Sequence, residues 1–320
     1  MPNPSLLTMP EPTSPSITLT GLDGSNPLAF LAALGTLRTL TDAGPEDHVR
    51  LSWHRHAGAC RPRINTHAIV QEDQLIETLY AALNHRQDRP AFQIGDNLNL
   101  PATDFHQHLL DSLNAYFEST ETADRDTLDY FAAFGSDAIA NDKGTMADTA
   151  LRTMSGAGHQ HFLKFFRDIS KATDPDHLRR ALFHEWDYAD EGRGLNLRWD
   201  PLDDRRYALR WQNPSNDPNR TMRGANRLAM EAMPLLPTMP VNDRLITTAF
   251  QGKGARDTFF TWPIWSAPLS ASVVQSLLSH LAIFLGSSRD LQARGISAVY
   301  TSARITTGKF RSFTPGVAVA

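Results

Sequence analysis

An α+β fold follows from three observations. Apolar alternation of period two occurs near both ends of the chain, helical periodicity alone runs through its middle, and 41% of 320 residues are hydrophobic, enough for a sizeable core. The expected architecture is a mixed sheet built from N- and C-terminal strands, with a central helical insertion. The expected division is a disordered tail over 1–16, an N-terminal α/β part over 17–102, the helical insertion over 103–190, and a C-terminal α+β part over 191–320 that shares the sheet.

The tail carries five prolines and no Lys or Arg, so it lacks the basic start and apolar centre of a secretory signal. Next come a short apolar strand from Ile17 and the stretch GLDGSNPLAFLAALGTLRTL, Gly21 to Leu40. Its glycines raise the question of a phosphate loop, but neither G-x-G-x-x-G nor a Walker pattern is present. Asn26 or Ser25 as cap, Pro27 in the first turn and the apolar run Leu28 to Leu34 instead predict a capped, buried helix. Gly35 inside that helix predicts a close neighbour, since glycine there otherwise costs about 0.5–1 kcal/mol relative to alanine.

Val49 to Trp53 alternates as a half-buried strand, and Asp73 to Arg86 places Leu75, Leu79, Ala82 and Leu83 on one helical face. Helices are expected over Phe105–Phe117, Asp126–Ala140, His159–Ser170 and Pro175–Trp186. Leu195, Leu197 and Trp199, mirrored by Tyr207, Leu209 and Trp211, predict a β-hairpin turning across 200–206. A helix over Met222–Met233 follows, stopped by Pro234, Pro237 and Pro240. The remaining expectations are strands near Leu245–Phe250, Phe259–Ile264 and Ile296–Thr306, and an amphipathic helix over Ser270–Leu285.

A net charge of -4 and a pI near 6.3 deny the chain a uniformly basic surface, so any nucleic-acid contact must rest on local patches. The candidates lie mostly in the second half. Arg198, Arg205, Arg206 and Arg210 fall on the expected hairpin, and Arg220, Arg223 and Arg227 follow at spacings of three and four that line one side of a helix. Lys253 with Arg256, and Lys309 with Arg311, form two further sets. Guanidinium and ammonium groups so placed can bind successive phosphates without reading sequence. The opposing reading is ion pairing with Asp200, Asp203, Asp204 and Glu231. The segment SGAGHQH offers an anion site of another kind, with Gly156, Gly158 and His159 before a helix N-terminus; its opposing reading is an ordinary helix entry.

No cofactor or metal site is expected. Of three His-x-His pairs, His54/His56, His106/His108 and His159/His161, the second is disfavoured because residues two apart diverge on a helix, and His54/His56 lacks a third and fourth ligand. The single cysteine, Cys60, excludes an internal disulfide framework and fits a reducing cytoplasm. Apolar runs fall short of the roughly 18–20 residues a membrane span needs.

The segments NPLAFLAALGTLRTL, TMSGAGHQHFLKFFRDI, DPLDDRRYALRW, RGANRLAMEAMPLLPTMP, TWPIWSAPLSASVVQSLL and AVYTSARITTGKFRSFTP together resemble a CRISPR-associated family of type I-G (formerly I-U) systems, described as an extension of the Cas helicase-nuclease. The resemblance covers nearly the whole chain after the tail. It implies a non-catalytic subunit or accessory protein of antiviral defence, with crRNA or DNA and the effector complex or the helicase-nuclease as partners. No Walker motif or His-Asp metal dyad is present, so no catalytic residue is carried over. Two alternatives remain open: a metal-dependent nuclease or phosphodiesterase using Asp187, Asp190, Glu191, Asp200, Asp203, Asp204 and the histidines, and a protein-protein adaptor anchored by Trp262, Pro263 and Trp265.

Overall fold

The apolar run after Asn26 forms α1 (Pro27–Ala43), and every residue from Pro27 to Leu40 is buried. Asn26 Oδ1 accepts hydrogen bonds from the Leu28 and Ala29 amides at 2.8 and 3.2 Å, satisfying two donors that a helix start leaves open. A computed structural model provides the structure, which describes residues 15–44, 49–69, 71–118, 123–141, 143–156, 160–190, 195–203, 221–254, 257–307 and 310–319. Ser16, counted with the tail in the sequence reading, already belongs to β1 (Ser16–Thr18).

Before α1, β1 pairs with β3 (Ala59–Asn65), which pairs with β2 (Arg50–His56), giving the antiparallel order β1-β3-β2. Ala57 and Gly58, both at positive φ, make the two-residue turn between β2 and β3. α2 (Glu72–His85) buries Leu75, Ile76, Leu79 and Leu83. The middle of the chain contains α3 (Ala102–Glu118), α4 (Ala123–Phe134), α5 (Phe162–Ala172) and α6 (Pro175–Phe183). It is not purely helical. α4 stops at Phe134 rather than at Ala140, and Gly135 opens a hairpin of β4 (Gly135–Ala140) and β5 (Met146–Asp148).

In the C-terminal part, α7 (Arg223–Glu231) lies along α1, and β6 (Thr238–Val241) pairs with β7 (Arg244–Thr247). β8 (Phe250–Gly254), β9 (Asp257–Trp265), β10 (Ile296–Thr307) and β11 (Phe310–Phe313) form an antiparallel sheet in the order β11-β10-β9-β8, with β12 (Val317–Ala318) also on β10. The expected helix over Ser270–Leu285 is two pieces, α8 (Ala271–Leu278) and α9 (Ala282–Leu285), followed by α10 (Ser288–Ala293). The break falls at Ser279-His280, where His280 Nδ1 accepts the Ala282 amide at 3.0 Å and competes with helical bonding.

The α+β class holds, while the shared mixed sheet does not. Among the described residues the N- and C-terminal strands occupy separate antiparallel sheets, and Leu51 of β2 makes an isolated bridge to Leu269 in the segment after β9. Their contact is through side chains. Trp262 Nε1 donates to the Gly24 carbonyl and Trp265 Nε1 to the Leu51 carbonyl, each at 2.8 Å, and both rings cluster with Phe30. Phe92, Tyr130, Phe134 and Phe166 from the middle join the same continuous core.

The expected hairpin at 195–211 is also corrected in its first arm. Residues 195–200 form no strand, and Arg198 sits at φ 58°. The Leu197 amide donates instead to Asn226 Oδ1 at 3.0 Å, and Leu197 and Trp199 are buried. The second arm lies outside the described residues.

Candidate anion site

Where α1 meets α7 the backbones almost touch: a Cβ on Gly35 would stand 1.7 Å from the Leu228 carbonyl oxygen. This approach decides the fate of the predicted arginine stripe, because α7 is buried on every side, with each residue from Gly224 to Glu231 enclosed. Arg227 pairs with Glu231 and donates from Nη2 to the Leu83 carbonyl at 3.1 Å. Arg223 donates its amide to Asp190 Oδ2 at 2.6 Å, while its Nη1 donates to the Ala172 carbonyl at 3.1 Å and meets His177 Nε2 at 2.9 Å. The expectation that Arg223 and Arg227 contact nucleic acid is therefore corrected: both serve internal packing.

Arg227 belongs to a closed ionic network. Arg89 grips Glu231 with both terminal nitrogens at 2.6 Å and reaches Asp126 at 2.5 Å through Nε. Arg38 pairs with Asp126, approaches Glu231 at 3.5 Å and Asp42 at 3.6 Å. Burial pushes the Glu231 carboxyl upward, but Arg89 and Arg227 outweigh it and hold that carboxyl well below the usual carboxylate range.

The predicted anion site at SGAGHQH is corrected for its described part. Gly156 takes φ 83°, and a Cβ there would stand 2.3 Å from Asn97 Nδ2, so glycine is needed for a turn against Asn97. The start of α5 is already capped from within. The Leu163 and Lys164 amides donate to the Asp96 carbonyl at 3.0 and 3.1 Å, and the Phe162 amide to Asn97 Oδ1 at 3.4 Å. Gly158 and His159 lie outside the described residues, as do Arg205, Arg206, Arg210, Arg220, Arg256 and Lys309. Lys253 falls in β8. Arg198 is half-buried in the irregular segment before Trp199, its amide donating to Asn196 Oδ1 at 2.6 Å.

Arg311 takes a different course. On β10 and β11, Arg304 stands opposite Phe313 and Thr306 opposite Arg311, so Arg304 and Arg311 share the face that carries the buried Phe313. That face is covered by the turn after β5. Arg304 Nη1 donates to the Ala150 carbonyl at 2.8 Å, and Arg311 Nη1 to the Arg152 carbonyl at 3.4 Å. Arg152 itself is only 8% exposed and holds Asp148 at 2.6 Å through Nη2. The turn is fixed by its own bonds: the Ala150 amide to Thr247 Oγ1, Trp199 Nε1 to the Leu151 carbonyl, and Thr153 Oγ1 to the Leu197 carbonyl.

Three guanidiniums thus converge on a rigid turn where, among the described residues, Asp148 is the carboxylate that faces them. Nε and Nη1 of Arg152 and Nε of Arg304 are buried with no hydrogen-bond partner. Burial, then Arg311 and Arg152, push the Arg304 guanidinium down to about 10, and burial with Arg152 lowers Arg311. At about 10, Arg304 stays charged at neutral pH. Among the described residues the cluster is short of negative charge and of acceptors, as an oxyanion site requires.

The opening loop forms a second feature, one wall of a cleft of about 440 Å3. Asp200 is buried there, accepting from Leu202 N at 2.8 Å, Tyr188 OH at 3.1 Å and Asn26 Nδ2 at 3.4 Å. Burial raises its carboxyl above the usual range despite these donors. With Asp23 and Glu185 also lining the cleft against Arg61, this wall repels phosphate rather than cradling it.

Asp190 is likewise engaged, with Arg180 and the Arg223 amide. Among the described residues no three His, Cys, Asp or Glu side chains group as metal ligands. The His54 and His56 rings lie 6.1 Å apart, tilted by 53°, and burial, then Arg63, lowers the His54 imidazole. Trp262 and Trp265, the anchors of the alternative adaptor reading, are core residues. Among the described residues no helix is long and apolar enough to cross a membrane. No protein-family model matches this chain, and no curated protein matches it.

Proposed function

We propose that this chain is a non-catalytic nucleic-acid-binding protein that holds phosphates through Arg152, Arg304 and Arg311. The observation that carries this reading is three converging guanidiniums, with buried unbonded N–H groups, set against Asp148 as their one carboxylate among the described residues. The resemblance to the type I-G CRISPR family supplies the setting: an accessory subunit of cytoplasmic antiviral defence that binds crRNA or target DNA and meets the effector complex or its helicase-nuclease.

The competing nuclease reading draws less support, because Asp190 and Asp200 already serve as acceptors for Arg180, Arg223, Tyr188 and Leu202. The adaptor reading loses its anchors to the core.

Binding of single-stranded RNA and of duplex DNA, followed by fluorescence anisotropy across a salt series, tests the proposal. Affinity is expected to fall steeply with salt, and the slope to flatten by about one ion per arginine removed in Arg304→Gln and Arg311→Gln. Affinity independent of salt, or slopes identical in the variants, would overturn it.

A further inference from the structure

Resting on the phosphate-binding reading of the same cluster, we infer that Arg152, Arg304 and Arg311 form a pocket for a phosphomonoester dianion, the terminal phosphate of a strand rather than an internal diester. Charge is the first argument. Three guanidiniums against Asp148 leave two uncompensated positive charges among the described residues. A phosphomonoester carries about -1.5 to -2 at pH 7, whereas an internal diester carries a single negative charge.

Geometry is the second. The arginines arrive from three separate places, β10, β11 and the turn after β5, and meet over one turn instead of running along a track. A strand bound along its backbone presents two free oxygens per phosphate and continues in both directions. A terminal phosphate presents three oxygens and ends there, matching a cluster of three forked donors.

Preorganisation is the third. Arg304 and Arg311 each spend one Nη1 hydrogen bond on the turn carbonyls, and Arg152 spends Nη2 on Asp148. These bonds fix the planes of the guanidiniums before any ligand arrives, and leave Arg152 Nε, Arg152 Nη1 and Arg304 Nε unbonded. Little ordering then remains to oppose binding.

The test uses the full chain and oligonucleotides of one sequence ending in 5′-phosphate, 3′-phosphate or hydroxyls only, with a nucleoside 5′-monophosphate and inorganic phosphate as competitors at constant ionic strength. A phosphate-ended strand is expected to bind about tenfold tighter than the hydroxyl-ended one, the gain from charge-assisted hydrogen bonds. Inorganic phosphate should erase that margin. Arg152→Gln and Arg304→Gln should abolish it, while Lys164→Gln, which removes an exposed cation on α5, should retain it.

Equal affinity for all ends in the wild type would overturn the terminal-phosphate pocket and leave nucleic-acid binding standing. Failure to bind any oligonucleotide, with tight binding of the nucleotide, would keep the dianion pocket and overturn the nucleic-acid reading. Failure of every probe would overturn both. Should a variant not fold, the end preference and phosphate competition of the wild type decide the matter.

Discussion

Two arginine clusters of the same size behave in opposite ways. Arg38, Arg89 and Arg227 share Glu231 and Asp126, with Asp42 at the margin, and are sealed between α1, α4 and α7. Arg152, Arg304 and Arg311 gather around Asp148 at the end of the C-terminal sheet, Arg152 buried and the other two half-buried. In the first, carboxylates answer the guanidiniums, and the group acts as an internal lock. In the second, the described acceptors run out first, and buried donors on Arg152 and Arg304 are left without a partner. What separates a lock from a receptor here is the supply of acceptors rather than the number of cations.

The largest test of this contrast is Glu231→Gln, which leaves buried guanidiniums without their central partner and is expected to cost about 3–5 kcal/mol in denaturant unfolding. A cost below about 1 kcal/mol would place the first cluster with the second. The same carboxyl predicts the acid limit. Its folded value is depressed, so the stability it contributes is present above the unfolded range near pH ~4.3 and is lost only as pH falls through the folded value. Urea midpoints measured through that range should fall for the wild type and stay flatter for Glu231→Gln.

Gly35→Ala comes next, since its methyl would strike the Leu228 carbonyl. About 3 kcal/mol of destabilisation by calorimetry is expected, the upper part of the overpacking range. Arg304→Gln should change unfolding free energy by less than about 1 kcal/mol, because the lost bond to Ala150 is offset by relief of repulsion, yet weaken oligonucleotide binding roughly tenfold. A large stability loss here would make the open cluster a second lock.

The smallest effect is expected at Asp200. Its carboxyl is raised by burial, so the folded state retains its proton longer, and stability falls as pH rises from the unfolded to the folded value. Asp200→Asn should flatten that fall and raise the thermal midpoint slightly at neutral pH. A lower midpoint would show that the Asn26, Tyr188 and Leu202 bonds outweigh the burial penalty.

Much of the fold was legible where local chemistry decides structure. Asn26, Pro27 and the apolar run specified α1, and alternation located β9 and β10. β3 was missed because Pro62 and three other polar or basic residues disguise ACRPRIN as a loop. Gly135, read through as helix, ends α4, since only its lack of a side chain admits the Ala147 carbonyl, 2.2 Å from where a Cβ would stand. For the site, Arg311 was visible in GKFRSF, but Arg152 and Arg304 meet across about half the chain and no local pattern links them. The spacing of Arg223 and Arg227 correctly marked a helix face, yet periodicity is silent on whether a second helix covers that face.

The two tryptophan hydrogen bonds have a consequence in time. Trp265 and Trp262 complete the surroundings of β2 and the α1 entry from 214 and 238 positions further along the chain. At a synthesis rate of about 5–20 residues per second, the apolar N-terminal helix therefore waits on the order of ten to fifty seconds for its cover. Until β9 has been made, α1 lacks the two indole rings that pack on Phe30.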